Sequence, residues 1–269
     1  MNALNPLQST QMPPLTSIGA LRVATYNIHK GVRGMGRGKR LEIHNLGLAV
    51  ESFDADLVFL QEVRLFHTRD ARRFDRTSFG WPDQGQADFL APEGYTAAYR
   101  SNAVTRHGEH GNALLSRWPV GDIGHHDVSD HRFEQRGLLH VPVQWNGTTV
   151  HAIVVHFGLV HASRVRQVER LAAFIAAEVP PGEMLVVAGD FNDWSEKLDP
   201  LMAAVGLQRA HVPEAGRAQR LTFPSLAPVF ALDRFYLRGL RCSTMMVPRG
   251  MAWARMSDHL PLVAELEPA

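Results

Sequence analysis

The chain has 269 residues, is 45% hydrophobic and 20% charged, and carries 28 Lys and Arg against 27 Asp and Glu. Such a composition lets a globular chain bury a large core and excludes collagen, coiled coil and wholesale disorder. A net charge of +1 excludes a uniformly basic nucleic-acid coat, so contact with a phosphate polymer must come from a local patch.

Residues 1–20 contain three prolines and no Lys, Arg, Asp or Glu. They lack the cationic start of a secretory signal and read as a flexible tail. No run approaches the ~18 apolar residues of a membrane span, and the one cysteine, Cys242, forms no intrachain disulfide; a cytoplasmic protein is expected. Beyond the tail, short runs rich in Val, Leu and Ile, bounded by Gly, Pro, Asn or Asp, predict strands over 21–26, 57–62, 95–100, 112–117, 137–144, 148–156, 184–190, 233–237, 243–247 and 262–266. Several are apolar nearly throughout, as strands covered on both faces are. Between them, residues 163–178 set Val165, Val168, Leu171, Ala172 and Ile175 on one helical stripe, which Pro180 and Pro181 end. Shorter helices are predicted over 42–53 and 200–205. Strands outnumber helices and no linker divides residues 21–269, so one α/β domain with two packed sheets is expected rather than a wound parallel sheet.

Segment 30–40 (KGVRGMGRGKR) holds five cations and four glycines and should be mobile, basic and exposed. It is either a solvated connection or a phosphate contact. Arg69, Arg72, Arg73 and Arg76 read as a solvated helix face. His125, His126 and His131 read as a surface stretch, because neighbouring residues on a strand face opposite sides.

The chemistry gathers at strand ends. Asn27 follows the first strand, Glu62 closes the second, His156 ends the 148–156 strand, Asp190 and Asn192 end the 184–190 strand, and Asp258 with His259 precede the last. Ends on one sheet edge converge, so ligands scattered along the chain can build one site. Each alone is equally a turn former; together, their oxygen donors suit a hard cation, Mg²⁺ or Mn²⁺.

In this order the motifs Thr25-Tyr26-Asn27-Ile28, Leu60-Gln61-Glu62-Val63, Gly111-Asn112-Ala113-Leu114-Leu115-Ser116-Arg117, Val155-His156, Ala188-Gly189-Asp190-Phe191-Asn192, Leu232-Asp233-Arg234 and Ser257-Asp258-His259-Leu260-Pro261 resemble those of the endonuclease/exonuclease/phosphatase superfamily, the group of deoxyribonuclease I, exonuclease III-type nucleases, neutral sphingomyelinases and inositol polyphosphate 5-phosphatases. The resemblance implies a four-layer α/β sandwich, two mixed sheets face to face with helices outside. It implies Glu62 as principal Mg²⁺ ligand, aided by Asn27 and Asp258, with Mn²⁺ a substitute. Asp190 and Asn192 would orient or activate the attacking water, or hold a second metal. His259 would contact the phosphate and carry a proton, oriented by Asp233. His156 would face the leaving group or a non-bridging oxygen, with Glu109 behind it. Arg136 would neutralise phosphate. Asn27 and Arg136 would touch substrate. By their place in the chain, His29 and Lys30, directly after Asn27, either touch substrate or form a turn without catalytic duty, and Trp194, four residues after Asp190, is expected near the pocket mouth.

Val155-His156 is similar to the deoxyribonuclease I, sphingomyelinase and phosphatase side, and Tyr26-Asn27-Ile28-His29-Lys30-Gly31 resembles a bacterial stand-alone subgroup. A monomeric Mg²⁺-dependent phosphodiesterase without a protein partner is implied, with DNA the leading substrate. A diesterase or phosphatase for a small or lipid-linked phosphate, and a non-catalytic phosphate-binding module, stay open at this point.

Overall fold

The computed structural model describes residues 19–34, 36–131, 133–212, 216 and 220–269, with Arg37 described by its backbone alone. Apart from Gly19 and Ala20, the tail expected over 1–20 lies outside the described residues. In chain order the strands are β1 (Leu21–Asn27), β2 (Val32–Arg33), β3 (Arg40–Leu41), β4 (Leu57–His67), β5 (Thr96–Thr105), β6 (Gly108–Ser116), β7 (Gly124–Asp127), β8 (Gly137–Trp145), β9 (Thr148–His156), β10 (Met184–Asp190), β11 (Gln208–Arg209), β12 (Asp233–Arg238), β13 (Leu240–Met246) and β14 (Leu262–Pro268). The helices are α1 (Ile43–Phe53), α2 (Thr68–Arg73), α3 (Arg76–Phe79), α4 (Gln86–Leu90), α5 (His161–Glu178), α6 (Asp199–Ala204) and α7 (Met251–Met256). None of the described helices is long and apolar enough to cross a membrane.

The expected two-sheet sandwich is present. One sheet runs β13-β14-β1-β4-β6-β5 and the other β11-β12-β10-β9-β8-β7. Both are mixed, because β1 pairs parallel with β4 and β9 pairs parallel with β10 while the remaining neighbours are antiparallel. Strand alternation explains the unbroken apolar runs. Along β9 and β10, Ala152, Val154, Val186 and Ala188 enter the core between the sheets, while Ile153, Val155, Leu185 and Val187 point to a second core under α5 and α6. Phe59 of β4 meets Phe235 of β12 edge-on across the first core, centroids 6.3 Å apart. On the far side of the first sheet, α1 and α7 stack Phe53 on Trp253.

Two glycines are demanded by close backbone approach. A Cβ on Gly189 (φ +148°) would lie 1.9 Å from the Val155 carbonyl oxygen, and one on Gly111 1.9 Å from the Arg100 oxygen. Gly189 adjoins Asp190, so β10 is pressed against β9 where both strands deliver functional groups. Gly189→Ala must push β9 away, with nothing flexible to yield. The expected outcome is destabilisation of at least ~2 kcal/mol in a denaturant titration.

Segment 30–40 departs from the expectation of a mobile loop. It forms the β2–β3 ladder, and each of its cations whose side chain is described has a partner. Lys30 bonds Glu62, Arg33 Nη1 donates to Ser225 Oγ at 3.3 Å, Lys39 bonds Asp70, and Arg40 Nε lies 3.4 Å from Glu42 Oε1. The four arginines expected on a solvated face are all exposed, and two of them, Arg69 and Arg73, also line a groove. The histidine stretch stays at the periphery as expected, with His125 and His126 exposed on edge strand β7.

Candidate active site

Sheet register does most of the assembly. Asp190, the last residue of β10, stands opposite His156 at the end of β9 and opposite Asp233 at the start of β12. Three adjacent strands therefore present an imidazole and two carboxylates on one edge. From the other sheet come Asn27 at the end of β1, Glu62 in β4, and Asp258 and His259 just before β14.

Asn27, His156 and His259 meet at Asp190. Its Oδ2 accepts from Asn27 Nδ2 at 3.1 Å and lies 3.5 Å from His156 Nε2 and 3.6 Å from His259 Nε2. Its Oδ1 accepts the backbone N–H of Asn192 at 2.9 Å. Asn192 (φ +49°) in turn donates its amide to the Phe157 carbonyl at 2.9 Å. Burial raises the Asp190 pKa, only partly offset by the two histidines. Its carboxylate is thereby a stronger base than an exposed one.

The two histidines are tuned apart. Burial, together with the Arg136 charge, pushes the His156 pKa down to about 4. Burial also disfavours charge on His259, but Asp233 and Asp190 outweigh it and lift its pKa to about 10. The first cause is direct: Asp233 Oδ2 pairs with His259 Nδ1 at 2.8 Å, both groups buried. At neutral pH His156 is therefore an uncharged imidazole and His259 an imidazolium. A buried carboxylate oxygen, Asp233 Oδ1, lacks a hydrogen-bond partner.

A second pair of carboxylates lies on the first sheet. Glu62 sits at a bulge where the β4–β6 register slips between Leu60 and Val63, and its φ of +57° turns its side chain out of the ladder. Lys30 Nζ donates to Glu62 Oε2 at 2.5 Å. His29 Nδ1 lies 3.2 Å from Asp258 Oδ1 and 4.0 Å from Glu62 Oε2, so both carboxylates converge on one imidazole. Burial raises the Glu62 pKa, but Lys30, His156 and His29 outweigh it and hold the carboxyl ionised far below the usual range. Asp258 is likewise lowered: burial opposes the shift, and His29 and His259 carry it. His29, Lys30, Glu62 and Asn192 all have φ between +44° and +63°, a backbone strain of ~1–3 kcal/mol each that clusters at functional sites.

This donor set fits a hard divalent cation. No cluster of three or more His, Cys, Asp and Glu among the described residues makes a closed metal cage, yet Mg²⁺ commonly takes only one or two carboxylates and keeps its waters. Glu62 and Asp258 are two ionised carboxylates facing the one imidazole of His29, and the Asn27 amide oxygen accepts the backbone N–H of that same residue at 3.1 Å.

Every residue expected at the site is thus close to it, with two differences. The Arg136 guanidinium is engaged by the Phe157 carbonyl at 3.2 Å and Glu134 at 3.1 Å, so it acts on His156 through its charge while tied to the protein. Glu109, expected behind His156, instead stands in the β5–β6 hairpin opposite Val104, and the carboxylate facing His156 is Asp190. Trp194 stands at the rim, 40% exposed, its ring edge-on to Phe223 and Phe230, and Phe223 packs on His259 at 4.9 Å. Sequence reasoning missed His110. It lies across the ladder from Arg64, and burial and the Lys30 charge lower its pKa to about 4. A cavity of about 290 Å³ by α1 and α7, lined by Leu48, Ala252 and Met256, shares no residue with the site.

Comparison with known proteins agrees with this fold. The sequence profile of the Endonuclease/Exonuclease/phosphatase family matches residues 24–259. The uncharacterized protein YbhP of Escherichia coli (strain K12) is 38% identical over 259 residues, spanning 95% of this chain and 99% of that protein. Among solved structures, an endonuclease/exonuclease/phosphatase family protein from Leptotrichia buccalis superposes with a TM-score of 0.67 at 13% identity, over 92% of this chain and 100% of the other. TDP2 of D. rerio, complexed with a single-strand DNA product, does so with a TM-score of 0.65 at 15% identity, over 93% of this chain and 100% of the other. At such identities these two speak for the fold alone. Shared fold, ordered motifs and a full-length relative make this chain a member of the endonuclease/exonuclease/phosphatase family.

Proposed function

We propose that residues 21–269 form a divalent-metal-dependent phosphodiester hydrolase acting on nucleic acid, with DNA as the leading substrate. The observation that carries this reading is the meeting of Asn27, His156 and His259 on one oxygen of Asp190, with Asp233 behind His259 and the Glu62–Asp258 pair alongside.

Glu62 and Asp258, with the Asn27 oxygen, would hold Mg²⁺ or Mn²⁺, which neutralises charge on the phosphate oxygens. Asp190, made more basic by burial, accepts a proton from the attacking water at Oδ2. Asn192 fixes the other carboxylate oxygen through its backbone N–H. The His259 imidazolium donates its Nε2 proton to the leaving oxygen, and Asp233 keeps that imidazolium charged at neutral pH. Uncharged His156 orients a non-bridging oxygen, and Arg136 adds positive charge behind it. The ammonium of Lys30, bonded to Glu62, stands at the entrance for substrate phosphate.

The test is hydrolysis of bis-p-nitrophenyl phosphate, single-stranded DNA and supercoiled plasmid, each with Mg²⁺, Mn²⁺ or EDTA. Metal-dependent cleavage of the small diester and of DNA is expected. Cleavage of the small diester alone would move the substrate to a small or lipid-linked phosphate, and silence on all three would leave a binding module.

A further inference from the structure

Beside the site runs a groove of about 420 Å³ that shares His29 and Lys30 with it. Its walls are the glycine-rich turn after β2, the outer end of β4 and helix α2. Lys30, Lys39, Arg64, Arg69 and Arg73 line it, and Asp70 is the only carboxylate among the described lining residues.

The cations are held ready. Asp70 Oδ2 accepts from Lys39 Nζ at 2.6 Å and from the buried Arg64 guanidinium, and lies 3.3 Å from His67 Nδ1. One carboxylate thus faces two cations, Lys39 and Arg64, and leaves a surplus of positive charge, while His67 Nδ1 accepts the Asp70 backbone N–H at 3.1 Å. Arg73 donates to the carbonyls of Gly36 at 2.5 Å and Lys39 at 3.2 Å, bracing the turn against α2. Among the described residues no carboxylate pairs with Arg69.

Size and lining narrow the ligand. The volume lies at the lower end of the ~300–1,000 Å³ of small-ligand pockets, which suits one sugar-phosphate unit and not a duplex. The described lining has no Phe, Tyr or Trp to stack a base and only Val32 as an apolar side chain to meet a lipid. Charge therefore dominates recognition.

Building on the diesterase reading above, we propose that this groove seats a non-scissile phosphate of a nucleic-acid strand, next along the backbone from the diester at Asp190. The strand is gripped by its backbone, and its sequence goes unread.

The test is fluorescence anisotropy of a labelled single strand in EDTA, across a salt series, so that binding is read without turnover. Arg69→Glu is expected to weaken binding at least ~10-fold and flatten the salt slope by about one or more. Arg255→Glu, the same charge change on α7 outside the groove, should bind as wild type. A strand in which every phosphate but one is a neutral methylphosphonate can offer charge to the site or to the groove but not to both in any register, and should lose affinity comparably, with no further loss in Arg69→Glu. Equal weakening by both variants, or by neither, would overturn the proposal, as would normal binding of the methylphosphonate strand. Wild type that cleaves bis-p-nitrophenyl phosphate but binds no strand would overturn the groove alone. Binding without hydrolysis of any diester would sink the diesterase reading and leave the groove standing.

Discussion

Glu62→Gln is expected to lose divalent-cation-dependent turnover by ~10³-fold or more while the protein stays folded. The amide keeps the shape of the side chain but removes the charge that the Lys30 ammonium now balances. A bound cation contributes several kcal/mol of charge stabilisation in such a reaction, and each ~1.4 kcal/mol is tenfold in rate. The checks are kcat/KM on whichever diester the wild type cleaves, Mg²⁺ binding by calorimetry, and far-UV circular dichroism. Normal turnover in a folded Glu62→Gln protein would remove Glu62 from the metal site. Loss of turnover with unchanged Mg²⁺ affinity would assign the carboxylate another role.

Asp233→Asn should cost ~10²–10⁴-fold at pH 8, because it takes the charge off His259. In the wild type, burial would lower the pKa of this imidazole, and Asp233 leads the attractions that lift it to about 10. With that carboxylate gone, the alkaline limb of the pH–rate profile should move acidward by two pH units or more. Stability follows with a definite sign. A histidine whose folded pKa lies above its unfolded ~6.5 stabilises the protein fully below pH 6.5 and loses that contribution as pH rises through about 10. Melting temperature should therefore fall from pH 7 to 10 in the wild type, and less steeply in Asp233→Asn. An alkaline limb that does not move would exclude His259 as the proton donor.

The strands that build the site were readable because each is buried on both faces, and continuous Val, Leu and Ile leave little alternative. Asp190 and His156 end such strands and Asp233 begins one, so their shared edge followed from the strand assignments. Legibility fails where structure does not depend on burial. β4 was expected to stop at Glu62, yet it runs on to His67 through exposed Leu65 and Phe66, because pairing with β6 resumes after the bulge. That extension brings Arg64 and His67 to Asp70, and α2 is too short and polar to leave a periodic pattern. The groove was therefore invisible in the chain, although Lys30, Lys39, Arg69 and Arg73 stand in two segments already marked as basic. His110 was missed for a related reason: its neighbours in space come from Arg64 and Lys30, far away in sequence, and no local pattern marks it. The Lys30–Glu62 bond explains why a glycine-rich basic segment is anchored where a solvated connection was equally open.

Phe59 and Phe235, one ring edge-on to the other between the sheets, act as a spacer gauge for chemistry performed at the sandwich rim. One sheet carries Glu62 and Asn27, the other His156 and Asp190, so the distance between the two halves of the machinery is set by how thickly the interior is filled. A shift of about 1 Å between reacting groups can cost ~10²-fold in rate. Trimming an interior side chain midway down the sandwich should accordingly be felt first as lost turnover and only later, on heating, as lost structure. In this architecture the hydrophobic filling is a ruler as well as a glue.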